Sequence, residues 1–240
     1  DHEGEIHLKK WIKRILLTLL AVFLISGAVL ACLGYSEYRN ALEGEGMSEK
    51  IDKIRRDPDY VKSEDLPEIY LQAVVAVEDH RFREHGGVDM IAILRALKND
   101  ILSGSLKEGG STITQQLAKN LYFTGEKTVV RKAAEIFMAL KLEKEYSKEE
   151  ILELYVNTIY FGDGYYGIRE ASLGYYGKEP RDLNPYECTM LAGLPNAPSA
   201  YALSGHPELA EQRRQTVVSQ MVKYGYLGER EGKLLGEQTG

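Results

Sequence analysis

Residues 15 to 33, ILLTLLAVFLISGAVLACL, carry no charged side chain. As a helix rising about 1.5 Å per residue, a run of this length matches the roughly 30 Å hydrocarbon thickness of a bilayer. Lys9, Lys10, Lys13 and Arg14 stand before it, and positive charge on one flank marks the cytoplasmic side. The pattern predicts a cytoplasmic N-terminus over 1–14, a single transmembrane anchor over 15–35 and an extracytoplasmic remainder. Two alternatives stand beside the anchor. One is a signal peptide, whose apolar core is normally shorter. The other is a lipoprotein-type cleavage at VLAC, before Cys32.

The remainder is long enough for one domain with a sizeable core. Residues 36–63 are charged and poorly periodic, and read as a juxtamembrane connector with a short helix. Residues 64–240 read as the functional domain. The formal net charge of −6 argues against a polyanion-binding surface, so no nucleic-acid partner is expected. Any phosphate chemistry must then use a local basic cluster. Cys32 and Cys188 have neither a disulfide framework nor zinc spacing.

Helical patterns dominate from Pro67 onward. PEIYLQAVVAVED is apolar along one face, and VDMIAILRALKNDIL sets Ile91, Leu94, Leu97 and Ile101 at helical spacing. Thr112 with Gln115, and Ser147 with Glu150, have capping-box spacing at the starts of two further helices. RKAAEIFMALKLEKEY, REASLGYYG, NPYECTMLAGL and ELAEQRRQTVVSQMVKYGY follow. Alternation of the strand type is scarce, and the predicted class is all-α.

Two glutamates interrupt apolar runs. Glu78 closes AVVAVE, with Leu71, Val74 and Val75 on its face and Phe82 one turn on. A carboxylate at the edge of an apolar face is partly desolvated, which raises its pKa and makes it a proton acceptor near neutral pH. A bland reading pairs it with Arg81 or Arg83. Glu135 lies within RKAAEIFMAL, with Arg131 one turn before it as the obvious partner in a structural ion pair. Two such carboxylates in one helical domain suggest chemistry at an anomeric carbon, where one group takes a proton and another assists the leaving group. If the leaving group is a diphosphate, cations serve that second role better than an acid.

The stretch GGSTITQQLAKN supplies the rest. Ile113, Leu117 and Leu121 form a stripe for burial, which leaves Gln115, Gln116, Lys119 and Asn120 on the other side. Lys127, Arg131 and Lys132 add positive charge downstream. The cluster suits a diphosphate, and the helix N-terminus adds partial positive charge. GDGYYG, residues 162–167, matches G-x-G-x-x-G, but a capped helix precedes it rather than a strand, so it reads as a tight loop near a substrate and not as a dinucleotide site. The DPD at 57–59 lies in the connector and carries little weight as a metal motif.

Five blocks, AVVAVEDHRFREHGGVD, GGSTITQQLAKN, RKAAEIFMALKLEKEYSKEEIL, LYVNTIYFGDGYYGIREASLGYYGK and LAGLPNAPSAY, occur in this order. Over about residues 60 to 227 the chain resembles the peptidoglycan glycosyltransferases (glycosyltransferase family 51). The family comprises monofunctional transglycosylases and the transglycosylase domains of class A penicillin-binding proteins. The resemblance implies a lysozyme-like helical fold with a small mobile jaw lobe, the jaw including the stretch before and within the GGST block. It implies polymerisation of lipid II, the growing lipid-linked strand being the other substrate, into β-1,4-linked glycan with inversion and release of undecaprenyl pyrophosphate. Carried over by position, Glu78 is the base and Glu135 the second glutamate. Ser111, Gln115, Gln116, Lys119, Lys127 and Arg131 fall where the family contacts phosphates and sugars. Lys at 127 keeps the charge but lacks the bidentate fork of Arg. A divalent cation (Mg or Mn) at Glu135 or the pyrophosphate fits the reading, although no metal-ligand spacing is present. Other cell-wall synthesis proteins are the expected partners.

No serine has Lys three residues later, so the S-x-x-K nucleophile of a transpeptidase is missing and a monofunctional chain is expected. The Asp start and QTG end leave a piece of something longer open. Two other functions compete: a lysozyme-like lytic enzyme, which leaves Lys119, Lys127 and Arg131 unexplained, and a non-catalytic cell-wall binding module, in which both glutamates are structural.

Overall fold

The computed structural model of the chain describes residues 2–103, 110–123 and 128–238. The class is all-α: among the described residues there is no strand, only an isolated bridge between Tyr160 and Tyr166. Cys32 and Cys188 are both free thiols.

The first helix, α1 (His2–Gly44), runs through the apolar stretch and continues past it. Trp11, Phe23, Ile25 and Leu33 on it are exposed. By length and composition α1 can cross a membrane. Its C-terminal part lies on the domain, where Gly34 is buried against Ala133 and Tyr35 meets Phe137 edge-on with ring centroids 5.5 Å apart. The next helix, α2 (Met47–Arg55), falls in the stretch read as connector, yet it buries Met47 and Ile51 in the main core. Asp59 of the DPD motif pairs with Arg169.

Five helices carry the site, four of them consecutive. Helix α3 (Glu68–Glu78) buries Tyr70, Ala73, Val74 and Val75 and stops at Glu78. Phe82 is therefore not the next turn of the same helix; it sits in the core beyond the break, with the Lys148 ammonium 4.4 Å over its ring. Helix α4 (Met90–Ser103) follows, its start capped by Asp89, whose carboxylate accepts from the Ile91 and Ala92 N–H groups. Met90, Ile91 and Leu94 on α4 face outward, and among its described side chains Ala96 is buried. Residues 104–109, part of the expected jaw, lie outside the described residues.

Helix α5 (Ile113–Tyr122) starts at the predicted capping box: Thr112 Oγ1 accepts from Gln115 N–H, and Gln115 Oε1 accepts from Thr112 N–H. Ile113 and Leu117 are fully buried, as their spacing predicts. Each such side chain contributes about 1.5–3 kcal/mol of hydrophobic stabilisation. Thr112 Oγ1 also donates to the Gly87 carbonyl at 2.7 Å. Gly87 has φ +92 and passes close to the next helix, where a Cβ would lie 3.1 Å from the Ala139 carbonyl oxygen, so both backbone sign and space favour glycine. Helix α6 (Val129–Glu145) buries Ala134, Met138, Ala139 and Leu142 under α5.

The second predicted capping box, Ser147 with Glu150, opens α7 (Lys148–Thr158). Then come α8 (Gly167–Tyr176), α9 (Pro185–Gly193), the single turn α10 (Pro198–Tyr201), α11 (Pro207–Lys223) and α12 (Glu229–Glu237). Helix α11 packs across α3 and α9, which brings the last third of the chain to the end of α3.

Candidate active site

One cleft of about 840 Å³ is walled by the C-terminus of α3, by α4, α5 and α6, and by α11. Glu78, Ser111, Gln115, Gln116, Lys119 and Glu135 all line it. The two glutamates are both buried, with side chains 7% and 2% exposed, but their neighbours differ.

At one end Glu78 Oε2 accepts from Gln116 Nε2 at 2.8 Å, and Gln116 Oε1 in turn accepts from the Tyr155 hydroxyl at 3.1 Å. That second bond fixes which way the amide points, so an N–H faces the carboxylate. Glu78 Oε1 lies 3.4 Å from Arg213 Nη2. Burial pushes the Glu78 pKa up; the Gln116 hydrogen bond and the Arg213 and Lys119 charges oppose this, and the adjacent Asp79 charge adds to it. The upward push wins because one amide and two cations only partly replace the lost hydration. Arg81 and Arg83 do not touch Glu78; they pair with Asp89 and Glu149.

At the other end Glu135 Oε2 accepts from Lys132 Nζ at 2.9 Å, and Lys132 also donates to Ser111 Oγ at 2.7 Å. Arg131 Nε approaches Glu135 Oε1 to 3.2 Å as an ion pair, outside hydrogen-bonding geometry. Arg131 and Lys132 concentrate positive charge here in an acidic protein, in a setting that suits an oxyanion; Lys119 acts on the Glu78 end.

A family model described as Transglycosylase matches residues 45–222. The chain belongs to the transglycosylase family. It is 41% identical to a Cupriavidus necator protein carrying a provisional transglycosylase name, over 90% of this chain and 93% of that one. It is 45% identical to penicillin-binding protein 1F of Bacillus subtilis over 75% of this chain and 26% of that protein. It is also 45% identical to penicillin-binding protein 1A of Aquifex aeolicus over 70% of this chain and 23% of that protein. The chain thus spans about a quarter of the length of these penicillin-binding proteins. A crystal structure of penicillin-binding protein 1A from Haemophilus influenzae aligns over 75% of this chain and 17% of that one, at 23% identity and a TM-score of 0.45.

Within this cleft several residues take parts the sequence did not assign. Gln115 is buried and its carbonyl is committed to the α5 cap, so it is a strut as well as a wall of the cleft. Lys132, rather than Arg131 alone, makes the hydrogen bond to Glu135. Arg213, from α11, reaches Glu78 although 135 residues separate them; nothing in the amphipathic run ELAEQRRQTVVSQMVK distinguishes it. His80 stacks on Tyr224 at 4.0 Å, and with Arg95, Asn196 and Lys223 extends the polar wall beyond Glu78. Lys127 lies outside the described residues. The 162–167 loop is not part of this cleft; Gly162, Gly164 and Gly167 take positive φ and Asp163 binds Ser204.

Asp79, next to Glu78, orients its neighbours: its carboxylate accepts from the Ile113 N–H of α5 and pairs with His85 Nε2. With Asp89, these form the one three-member carboxylate and imidazole group close enough to share a cation among the described residues. Asp89 is already bound by Arg81 and the start of α4.

Proposed function

We propose that the chain polymerises lipid II into β-1,4-linked glycan strands, with inversion and release of undecaprenyl pyrophosphate. Family membership supports peptidoglycan glycosyl transfer as the reaction class. The observation that carries the finer reading is the desolvated Glu78 carboxylate in the same cleft as a lysine- and arginine-flanked Glu135.

In this reading the acceptor's 4-hydroxyl oxygen attacks the donor's anomeric carbon. Its proton passes to Glu78, whose raised pKa suits a base near neutral pH. The bond from that carbon to the diphosphate oxygen breaks, and its electron pair leaves with the diphosphate. Lys119, Arg131 and Lys132 stabilise the developing negative charge. Glu135 holds Arg131 and Lys132 in place. Ser111, through Lys132, fixes the same cluster from the start of α5.

A divalent cation (Mg or Mn) fits this end only together with the diphosphate. Glu135 offers one carboxylate whose Oε1 lacks a hydrogen bond, and the adjoining cations already offset its charge. Such an ion would supply further charge neutralisation to the leaving group; turnover with and without EDTA tests for it.

Helix α1 is proposed as a single-pass anchor with its N-terminus in the cytoplasm, supported by the exposed apolar run and the basic flank. Polymerisation of fluorescent lipid II by Glu78→Gln tests the mechanism. The reading expects no strands from a variant with an unchanged far-UV circular dichroism spectrum, and ordinary strand synthesis would sink it.

A further inference from the structure

We propose that Arg214 is a positioning residue for the transfer reaction: it locks α11 onto the end of α12, and that lock holds the neighbouring Arg213 against Glu78. This rests on the transferase reading above and adds what keeps a cation at the base.

Arg214 is wholly buried, a costly place for a charge unless its donors are used. Its Nε and Nη2 donate to the two oxygens of Glu211 at 2.7 and 2.6 Å. Nη1 donates to the Leu235 carbonyl at 3.0 Å, and Nη2 also reaches the Gly236 and Gln238 carbonyls at 3.3 and 3.1 Å. The guanidinium lies 4.3 Å over the Tyr186 ring of α9, and the Tyr186 hydroxyl donates to Glu211. The three carbonyls lie at the C-terminal end of α12, where backbone acceptors run short of intrahelical donors and a cation meets the negative pole of the helix. A planar fork bonded in several directions fixes both the height and the rotation of α11 against α12.

Arg213 leaves α11 about 100° further back around the helix. Its Nε donates to the Gly193 carbonyl at 3.3 Å, and its Nη2 stands 3.4 Å from Glu78 Oε1. A Cβ on Gly193 would lie 3.0 Å from Arg213 Cγ, so the side chain crosses the end of α9 where no side chain intervenes. Both bonds are longer than the usual range for N–H···O. They hold Arg213 weakly, and the placement of α11 decides whether it reaches the base. The other groups facing Glu78 are Lys119 of α5, Asp79 at the end of α3 and, through Gln116, Tyr155 of α7. Arg214 binds α9, α11 and α12 instead, so Arg213 is its route to Glu78.

Polymerisation of fluorescent lipid II by the full chain in vesicles, measured against pH, tests the lock. Arg214→Lys keeps the charge and loses the fork. It is expected to lower kcat by up to about 100-fold, the scale for misplacing a group by an ångström, with KM for the donor unchanged. The acidic limb of its rate profile is expected at higher pH, because Arg213 lowers the Glu78 pKa. In an Arg213→Ala background the same substitution is expected to move the limb no further.

Glu211→Gln is a milder break in the same lock, at a side chain 34% exposed, and is expected to move the limb the same way. Loss of its negative charge alone would move the limb to lower pH, so the sign separates the two causes. A limb that stays in place in both variants overturns the proposal, whatever happens to thermal stability. So does a limb that moves as far again in the Arg213→Ala background. A wild-type chain without turnover counts instead against the transferase reading. The Glu78 carboxylate, followed by carbon NMR and assigned with Glu78→Gln, then decides the lock by the same shifts.

Discussion

The two ends of the cleft hold the same residue type at similar burial and surround it with different partners. Glu78 has an amide at 2.8 Å and a guanidinium at 3.4 Å, so it keeps a raised affinity for a proton. Glu135 has Lys132 at 2.9 Å and Arg131 at 3.2 Å, so it serves as a counter-ion that organises cations. A buried carboxylate has no fixed role; the number and closeness of its cations set what it can do.

The largest expected effect breaks the first end alone. Glu78→Gln keeps the shape and the Gln116 contact but removes the proton acceptor, and turnover should fall by about 10²–10⁴-fold, checked with fluorescent lipid II. If Glu135→Gln fell as far with the same retention of substrate binding, the distinction between the ends would fail. The comparison expects instead a loss of about 10²-fold for Glu135→Gln, accompanied by weaker retention of a diphosphate-bearing donor, since Arg131 and Lys132 lose the group that positions them.

Next in size is a pH effect. In the proposed mechanism Glu78 must be deprotonated to act, so the acidic limb of the rate profile should lie above the ordinary glutamate range of about 4.3. Arg213 lowers the Glu78 pKa, so Arg213→Ala should move that limb to still higher pH. A limb that stays put would remove Arg213 from the comparison. Linkage gives a matching stability signature. Native Glu78 holds its proton to higher pH than the unfolded chain does, so its contribution to stability falls as pH rises from the ordinary range through the raised value. Glu78→Gln should flatten that slope in thermal unfolding.

The smallest effect on rate is expected at α5, the strut both ends share through Gln116 and Ser111. Thr112→Ala removes the cap and the bond to Gly87, and should cost about 1–3 kcal/mol in chemical denaturation. The turnover loss should be modest and similar for substrates probing either end. A loss confined to one end would show that α5 does not couple them.

Much of this was legible in the sequence where the controlling interaction is local. The capping boxes at Thr112 and Ser147 need only residues three apart, and both form as predicted. The Ile113, Leu117 and Leu121 stripe follows from helical period, and all three are buried. Glu78 and Glu135 stood out because a charge within an apolar run needs an explanation. Other features were hidden. Phe82 had the right spacing to extend the Glu78 face, but the helix ends first, at Asp79, whose φ is −160. Arg213 looks like any solvated arginine of an amphipathic helix until α11 crosses α3. Met47 and Ile51 lie in a stretch too charged to suggest burial, yet α2 folds them into the core.

By itself the sequence determined an all-α class, an apolar N-terminal helix and two unusual carboxylates, because period, length and local charge act over a few residues. Only the tertiary structure decided which cations meet which carboxylate, and that α1 meets α6 at Gly34. Those depend on contacts between segments distant along the chain, where electrostatics and steric fit act through space and leave no local pattern.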